Sequence, residues 1–179
     1  DLVADASGYQ YFAGGYAITG TALVNTLTPG DSTEYNGKAI GRVRKDGVAH
    51  EFMTDKAQLI IDSFGNQTLS MKFNSDNSAG SDKFYDVTVT NPDNPTFTFG
   101  AHDDVNSAYL RDTDIDAVTD ETLTNVQQNW NSGFYGINNP VEAAGTVHYS
   151  ETVSGTESGT PFENRVWEFQ GAYGAKINE

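Results

Sequence analysis

In the stretch EYNGKAIGRVRKDG (34–47), Tyr35, Gly37, Ala39, Gly41 and Val43 alternate with Asn36, Lys38, Ile40, Arg42 and Arg44. A period of two sends successive side chains to opposite faces of a strand. Small residues on one face and mostly charged ones on the other suit a strand that crosses a tightly curved sheet. Glycine there permits both the bend and the close approach of facing groups. The same period recurs in QTLSMKF (67–73), where Leu69, Met71 and Phe73 share one face and Thr68, Ser70 and Lys72 the other. It groups Tyr85, Val87 and Val89 in FYDVTVTN (84–91) and pairs Phe97 with Phe99 in TFTFGA (96–101).

Turn chemistry separates these runs. NPDNP (91–95) carries two prolines that cannot donate to a ladder, and IIDSFGNQTL (60–69) reads as a hairpin between AQLIID and QTLSMKF. Two further strands are expected at AAGTVHYSE (143–151) and RVWEFQGAY (165–173). In the first, Val147 and Tyr149 share a face and His148 points away; in the second, Trp167, Phe169, Gly171 and Tyr173 oppose Glu168 and Gln170. One segment departs from the period of two: TDETLTNVQQNW (119–130) spaces Leu123, Val126 and Trp130 at i, i+3 and i+7, with Thr119 or Asp120 able to cap its start. A short helix is expected there. The expected fold is all-β, a closed antiparallel barrel of about eight strands with that one helix near 119–130. Residues 1–179 form one domain, with 1–32 as an N-terminal segment and first strand and 33–176 as the barrel.

Composition narrows the function. Ten Lys and Arg against 25 Asp and Glu give a formal charge of −15, which repels phosphate backbones and anionic lipid, so nucleic acid is not an expected partner. The absence of cysteine excludes disulfides, thiolate metal sites, iron–sulfur clusters and a cysteine nucleophile. No apolar run is long enough for a transmembrane helix. The candidate strands are shorter than those of a membrane barrel and carry charge on their second face. No GxSxG elbow, HExxH, P-loop or helix-leading GxGxxG is present, and a non-enzymatic protein is expected.

GFYGINNPVEAAGT is similar to the stretch G-x-F-x-G-x-x-A-x-E-x-x-G-T of the small β-barrel domain of transferrin-binding protein B and related surface lipoproteins of Gram-negative bacteria. The matching positions are Gly133, Phe134 or Tyr135, Gly136, Glu142, Gly145 and Thr146. FQGAYGAK resembles that family's closing F-x-G-x-F-G-A-K strand through Phe169, Gly171, Tyr173, Gly174, Ala175 and Lys176, and YNGKAIG resembles its opening Y-x-G-x-A-x-G strand. The resemblance brackets residues 35–176 and implies an eight-stranded barrel filled with side chains. It also implies an extracellular or outer-membrane surface location in a Gram-negative bacterium, and a part in iron acquisition through capture of haem or a host protein. Relatives anchored as lipoproteins begin at a lipidated cysteine, so the anchor is expected to lie outside these residues or to be replaced by secretion. The chain is expected to act as a monomer. Two alternatives are a structural or adhesive spacer in an exported assembly and a lipocalin-like carrier of a small ligand.

Within that frame, His50 and His102 stand at strand ends from which an imidazole could reach haem or a metal. Tyr9 and Tyr11, in SGYQYFAGGY (7–16), could ligate ferric haem or stack on a ligand. Asp112, Asp114 and Asp116 match the first three acidic positions of a calcium-binding loop. Ala117 stands where that loop needs glycine, and Leu123 where it needs a bidentate glutamate, so calcium is an expectation from charge repulsion alone.

Overall fold

The computed structural model describes residues 3–5, 8–10, 17–18, 30–45, 47–75, 83–102, 118–135 and 141–177. Strands β1 (Val3–Asp5) and β2 (Gly8–Gln10) pair with each other, and β3 (Ala17–Ile18) pairs with the end of β9 (Val118–Tyr135). The remaining strands are β4 (Ser32–Lys45), β5 (Val48–Asp62), β6 (Gln67–Ser75), β7 (Lys83–Thr90), β8 (Thr96–His102), β10 (Glu142–Glu157) and β11 (Thr160–Ile177). Hydrogen-bonded order runs β9-β10-β11-β4-β5-β6-β7-β8, every contact antiparallel, so eight strands curl into a nearly closed barrel.

The alternation of the sequence decides which side chains enter. Tyr35 and Val43 on β4, Leu69, Met71 and Phe73 on β6, and Trp167 and Phe169 on β11 are fully buried. Aromatic rings dominate this core: Phe73 meets Phe169 edge-on at 5.9 Å, and Phe99 meets Trp167 at 4.9 Å. Fully burying a large apolar side chain stabilises by about 1.5–3 kcal/mol, so this interior is the main source of stability. It also carries polar atoms in matched pairs. The Tyr173 hydroxyl lies 2.8 Å from Ser132 Oγ and accepts a hydrogen bond from Trp130 Nε1 at 3.3 Å. Burial raises the Tyr173 phenol and pushes Tyr35 up to about 12, so both stay protonated as parts of the core.

The Tyr173 ring occupies space that Gly145, its cross-strand partner, leaves open. A Cβ at Gly145 would collide with the Asn131 carbonyl oxygen and lie 2.7 Å from that ring. Turns follow their residues. Asp62 closes the β5–β6 hairpin by accepting from the Phe64 and Asn66 backbone N–H groups, both at 2.9 Å, and from the Asn66 side chain at 2.7 Å. Ser158 and Gly159, with φ of 50° and 80°, form the two-residue turn of the β10–β11 hairpin.

Residues 119–130 are not a helix; they belong to β9. Leu123 pairs with Val153 and Trp130 with Val147, and both partners point into the barrel. On an uninterrupted strand two residues seven apart would face opposite ways. Between them, however, β9 spends three residues from Thr124 to Gln127 where β10 spends two from Ser150 to Thr152, a β-bulge that restores Trp130 and Leu123 to one face. Asn125 supplies the left-handed residue of this bulge at φ 51°, and a second bulge contains Asp120 at φ 55°. Odd spacing that mimics a helical period is thus the mark of a bulged strand here.

The barrel's seam lies between β8 and β9, which share no ladder among the described residues. Gln128 bridges it by accepting the Phe97 backbone N–H at 3.0 Å. Beneath that bond, Phe97 and Phe99 stand 5.4 and 5.0 Å from Tyr149.

Three outcomes follow. Gly145→Ala should destabilise by about 3 kcal/mol, as overpacking against backbone does. Gly174→Ala, with no atom within 4 Å of the added carbon, should stay within about 0.5 kcal/mol of the parent in urea denaturation. Gln128→Ala should cost about 1 kcal/mol and speed amide exchange at Phe97, measured against that of the Val89 amide on the neighbouring strand.

Candidate functional site on the outer sheet face

Because Val147, Tyr149 and Val153 fill the interior, the residues between them on β10 face outward: Thr146, His148, Ser150, Thr152, and beyond Val153, Ser154 and Thr156. Their register partners on β9 are Asn131, Asn129, Gln127, Thr124, Thr122 and Thr119. These twelve side chains are hydroxyls, carboxamides and one imidazole, with no carboxylate or ammonium group among them, while the exposed Asp120 and Glu121 lie in the β9 bulge between Thr119 and Thr122. At about 3.3 Å per residue the strip is roughly 30 Å long. Its β11 flank contributes Gln170 and Glu168, the partners of His148 and Ser150.

Glu168 organises the middle of this face. Its Oε1 takes His148 Nε2 at 3.0 Å and Gln170 Nε2 at 2.7 Å, and its Oε2 lies 3.9 Å from the Arg44 guanidinium. The His148 hydrogen bond, joined by that of Gln170 and by the charges of His148 and Arg44, holds the Glu168 carboxyl below the usual glutamate range against the opposing effect of partial burial. Beside this cluster a shallow cavity of about 250 Å³ opens, lined by Asn129, Asn131, Thr146, His148 and Gln170, with Val147 and Gly171 at its floor. An imidazole oriented by a carboxylate is half of a proton relay. Among the described residues His148 has no hydrogen-bonding partner other than Glu168, so no hydroxyl is placed as its nucleophile.

A second cavity of about 430 Å³ lies at the far end of the same face, over Ala144 and Gly174 and beside Tyr135, Lys38 and Lys176. Its floor is bare because two of the strands present only glycine or alanine there.

The residues singled out by sequence fall elsewhere. The backbone of His50 lies in β5 opposite Val43, that of His102 ends β8 opposite Phe84, and that of Tyr9 lies in β2 opposite Ala4. Their side chains lie outside what is described, as do Tyr11, Asp112, Asp114 and Asp116 altogether. No cluster of three or more His, Asp or Glu side chains fit to hold a metal occurs among the described residues. The alternation of β10 and β11 correctly turns His148, Glu168 and Gln170 outward. Their convergence depends on strand register, which no local pattern in the sequence carries.

Compared with known protein families, curated proteins and solved structures, the chain matches none of them.

Glu168 gives a pH test with a definite sign. A depressed folded-state pKa contributes stability that is fully present above the ordinary glutamate value of about 4.3 and is lost as pH falls through the lower folded value. Urea denaturation of the parent should therefore lose stability below about pH 4.3 more steeply than Glu168→Gln.

Proposed function

We propose that this chain is a non-enzymatic bacterial surface or secreted binding protein, which captures haem or a host protein in the manner of the barrels its sequence resembles. The observation that carries this reading is the division of labour between the two faces of the sheet. The interior is spent on packed rings such as Phe73, Phe99, Trp167 and Phe169, which leaves a ligand the outside. That packing also counts against a lipocalin-like carrier, which needs an internal cavity. The outer face of β9, β10 and β11 offers a rigid, ordered array of hydrogen-bonding side chains, and binding groups held on strands are well positioned for recognition.

Two measurements test the proposal. The chain immobilised on a sensor should retain a protein from vertebrate serum, and His148→Arg, which places a long cation in the outer groove, should reduce that retention at least about tenfold. Titration with ferric haem should give a Soret shift if haem is the ligand, and His50→Ala, His102→Ala, Tyr9→Phe or Tyr11→Phe should then remove it. Absence of both serum-protein retention and a Soret shift would overturn the capture reading and leave the spacer role.

A further inference from the structure

We infer that the outward strip of β9 and β10 binds a linear neutral oligosaccharide, one sugar ring of which sits in the cavity between Asn131, His148 and Gln170; this rests on the binding-protein reading above. Charge is the first argument. The chain carries −15 overall, which disfavours anionic ligands at long range, and the two rows hold no charged side chain from Asn131 to Thr124 and from Thr146 to Thr152, roughly 20 Å, with Arg42 and Arg44 one strand beyond Gln170 and Glu168. A cation finds little purchase either. Of the Glu168 oxygens, Oε1 already accepts from His148 and Gln170, and Oε2 faces Arg44. What remains is a surface that selects an uncharged partner rich in hydrogen-bonding groups.

The chemistry of the lining is the second argument. A sugar hydroxyl both donates and accepts, and neighbouring hydroxyls on a ring present donor and acceptor side by side. A carboxamide offers the same pair in one plane, and the cavity is lined by three of them, Asn129, Asn131 and Gln170, together with the Thr146 hydroxyl. Preorganisation is the third. Glu168 fixes both the His148 ring and the Gln170 amide before any ligand arrives, so less side-chain freedom is lost on binding. Size agrees, since a shallow cavity of about 250 Å³ suits a single ring and not a haem or a lipid. Beyond the cavity, the serine and threonine hydroxyls continuing to Thr156 would contact successive sugar units of a chain lying along the strands. Hydrogen bonds exchanged with water give small net gains, so the expected dissociation constant is on the order of 0.1–1 mM.

The test follows backbone amide signals by NMR while maltohexaose, cellohexaose or chitohexaose is added, with a polygalacturonate fragment as the acidic control. At least one neutral hexasaccharide should shift the amides of residues 129–131, 146–148 and 170–171. The double variant Asn131→Ala/Gln170→Ala, shown to be folded by its unchanged thermal melt, should weaken that binding at least about tenfold. The inference is overturned if none of the three neutral sugars moves those amides at millimolar concentration, if the acidic fragment binds equally well, or if the double variant binds as the parent does. Serum-protein retention that persists while all three sugars are inert would overturn the ligand class and leave the binding reading standing. Sugar binding without serum-protein retention would support the inference on its own.

Discussion

Size matching across a narrow interior is the constraint from which the rest of this structure follows. A barrel of eight strands has room for its side chains only if each large ring is met by something small. Phe73 and Phe169 both crowd the space over Gly41, where an added Cβ would stand 3.0 Å from each ring. Tyr173 lies over Gly145 by the same rule, and its hydroxyl then reaches Ser132 and Trp130. Gly41, Gly145 and Gly171 therefore belong to the packing of the barrel: the rings choose where these glycines go, and the glycines let the strands close.

Closure is nonetheless incomplete, and its last step is made by side chains. A ladder between β8 and β9 would satisfy several backbone groups at once; here Gln128 satisfies the Phe97 N–H, and the Phe97 and Phe99 rings seal the gap against Tyr149. An edge strand left open is a template for pairing with another chain, and a bulge that twists it is one of the ways proteins blunt such an edge. The two bulges of β9 lie on that exposed edge, at Asp120 and Asn125, residues whose short polar side chains tolerate left-handed backbone. The feature that gives the strand a helical spacing thus sits on its open edge.

How much of this was legible in the sequence depended on whether the signal was local. The alternations of 34–47 and 67–73 placed Tyr35, Val43, Leu69, Met71 and Phe73 in the core, where they are found. The Asp62 hairpin and the NPDNP turn between β7 and β8 were marked by their own residues. Failure came at 119–130, because a bulge changes the parity of a strand without changing its composition, and only the ladder to β10 shows that Thr124 to Gln127 opposes Ser150 to Thr152. The outer cluster failed to show for a related reason: His148, Gln170 and Arg44 come from three strands and meet at Glu168 only once register is fixed. His50 and His102 stand out by their place at strand ends, and Tyr9 and Tyr11 by clustering beside glycine; both are local signals, which carry no information about convergence.

The placement of charge sharpens the contrast between the two faces. Burial favours partners for polar groups: Ser132, Trp130 and Tyr173 meet, and Glu151, 1% exposed, accepts from the Tyr149 hydroxyl, whereas the buried Trp167 indole N–H has none among the described residues. Outward groups have water, so nothing in the folding problem requires the outer rows of β9 and β10 to be free of charge. Solubility favours charge there, as the acidic excess of the whole chain illustrates. A neutral strip on the outer face of a strongly acidic molecule therefore runs against the simplest demand on a surface. The Glu168 cluster points the same way: its one carboxylate is flanked by His148, Gln170 and Arg44, which leaves the face beside it polar but electrically quiet. Packing accounts for the inside of this barrel but not for the neutral rows beside Glu168.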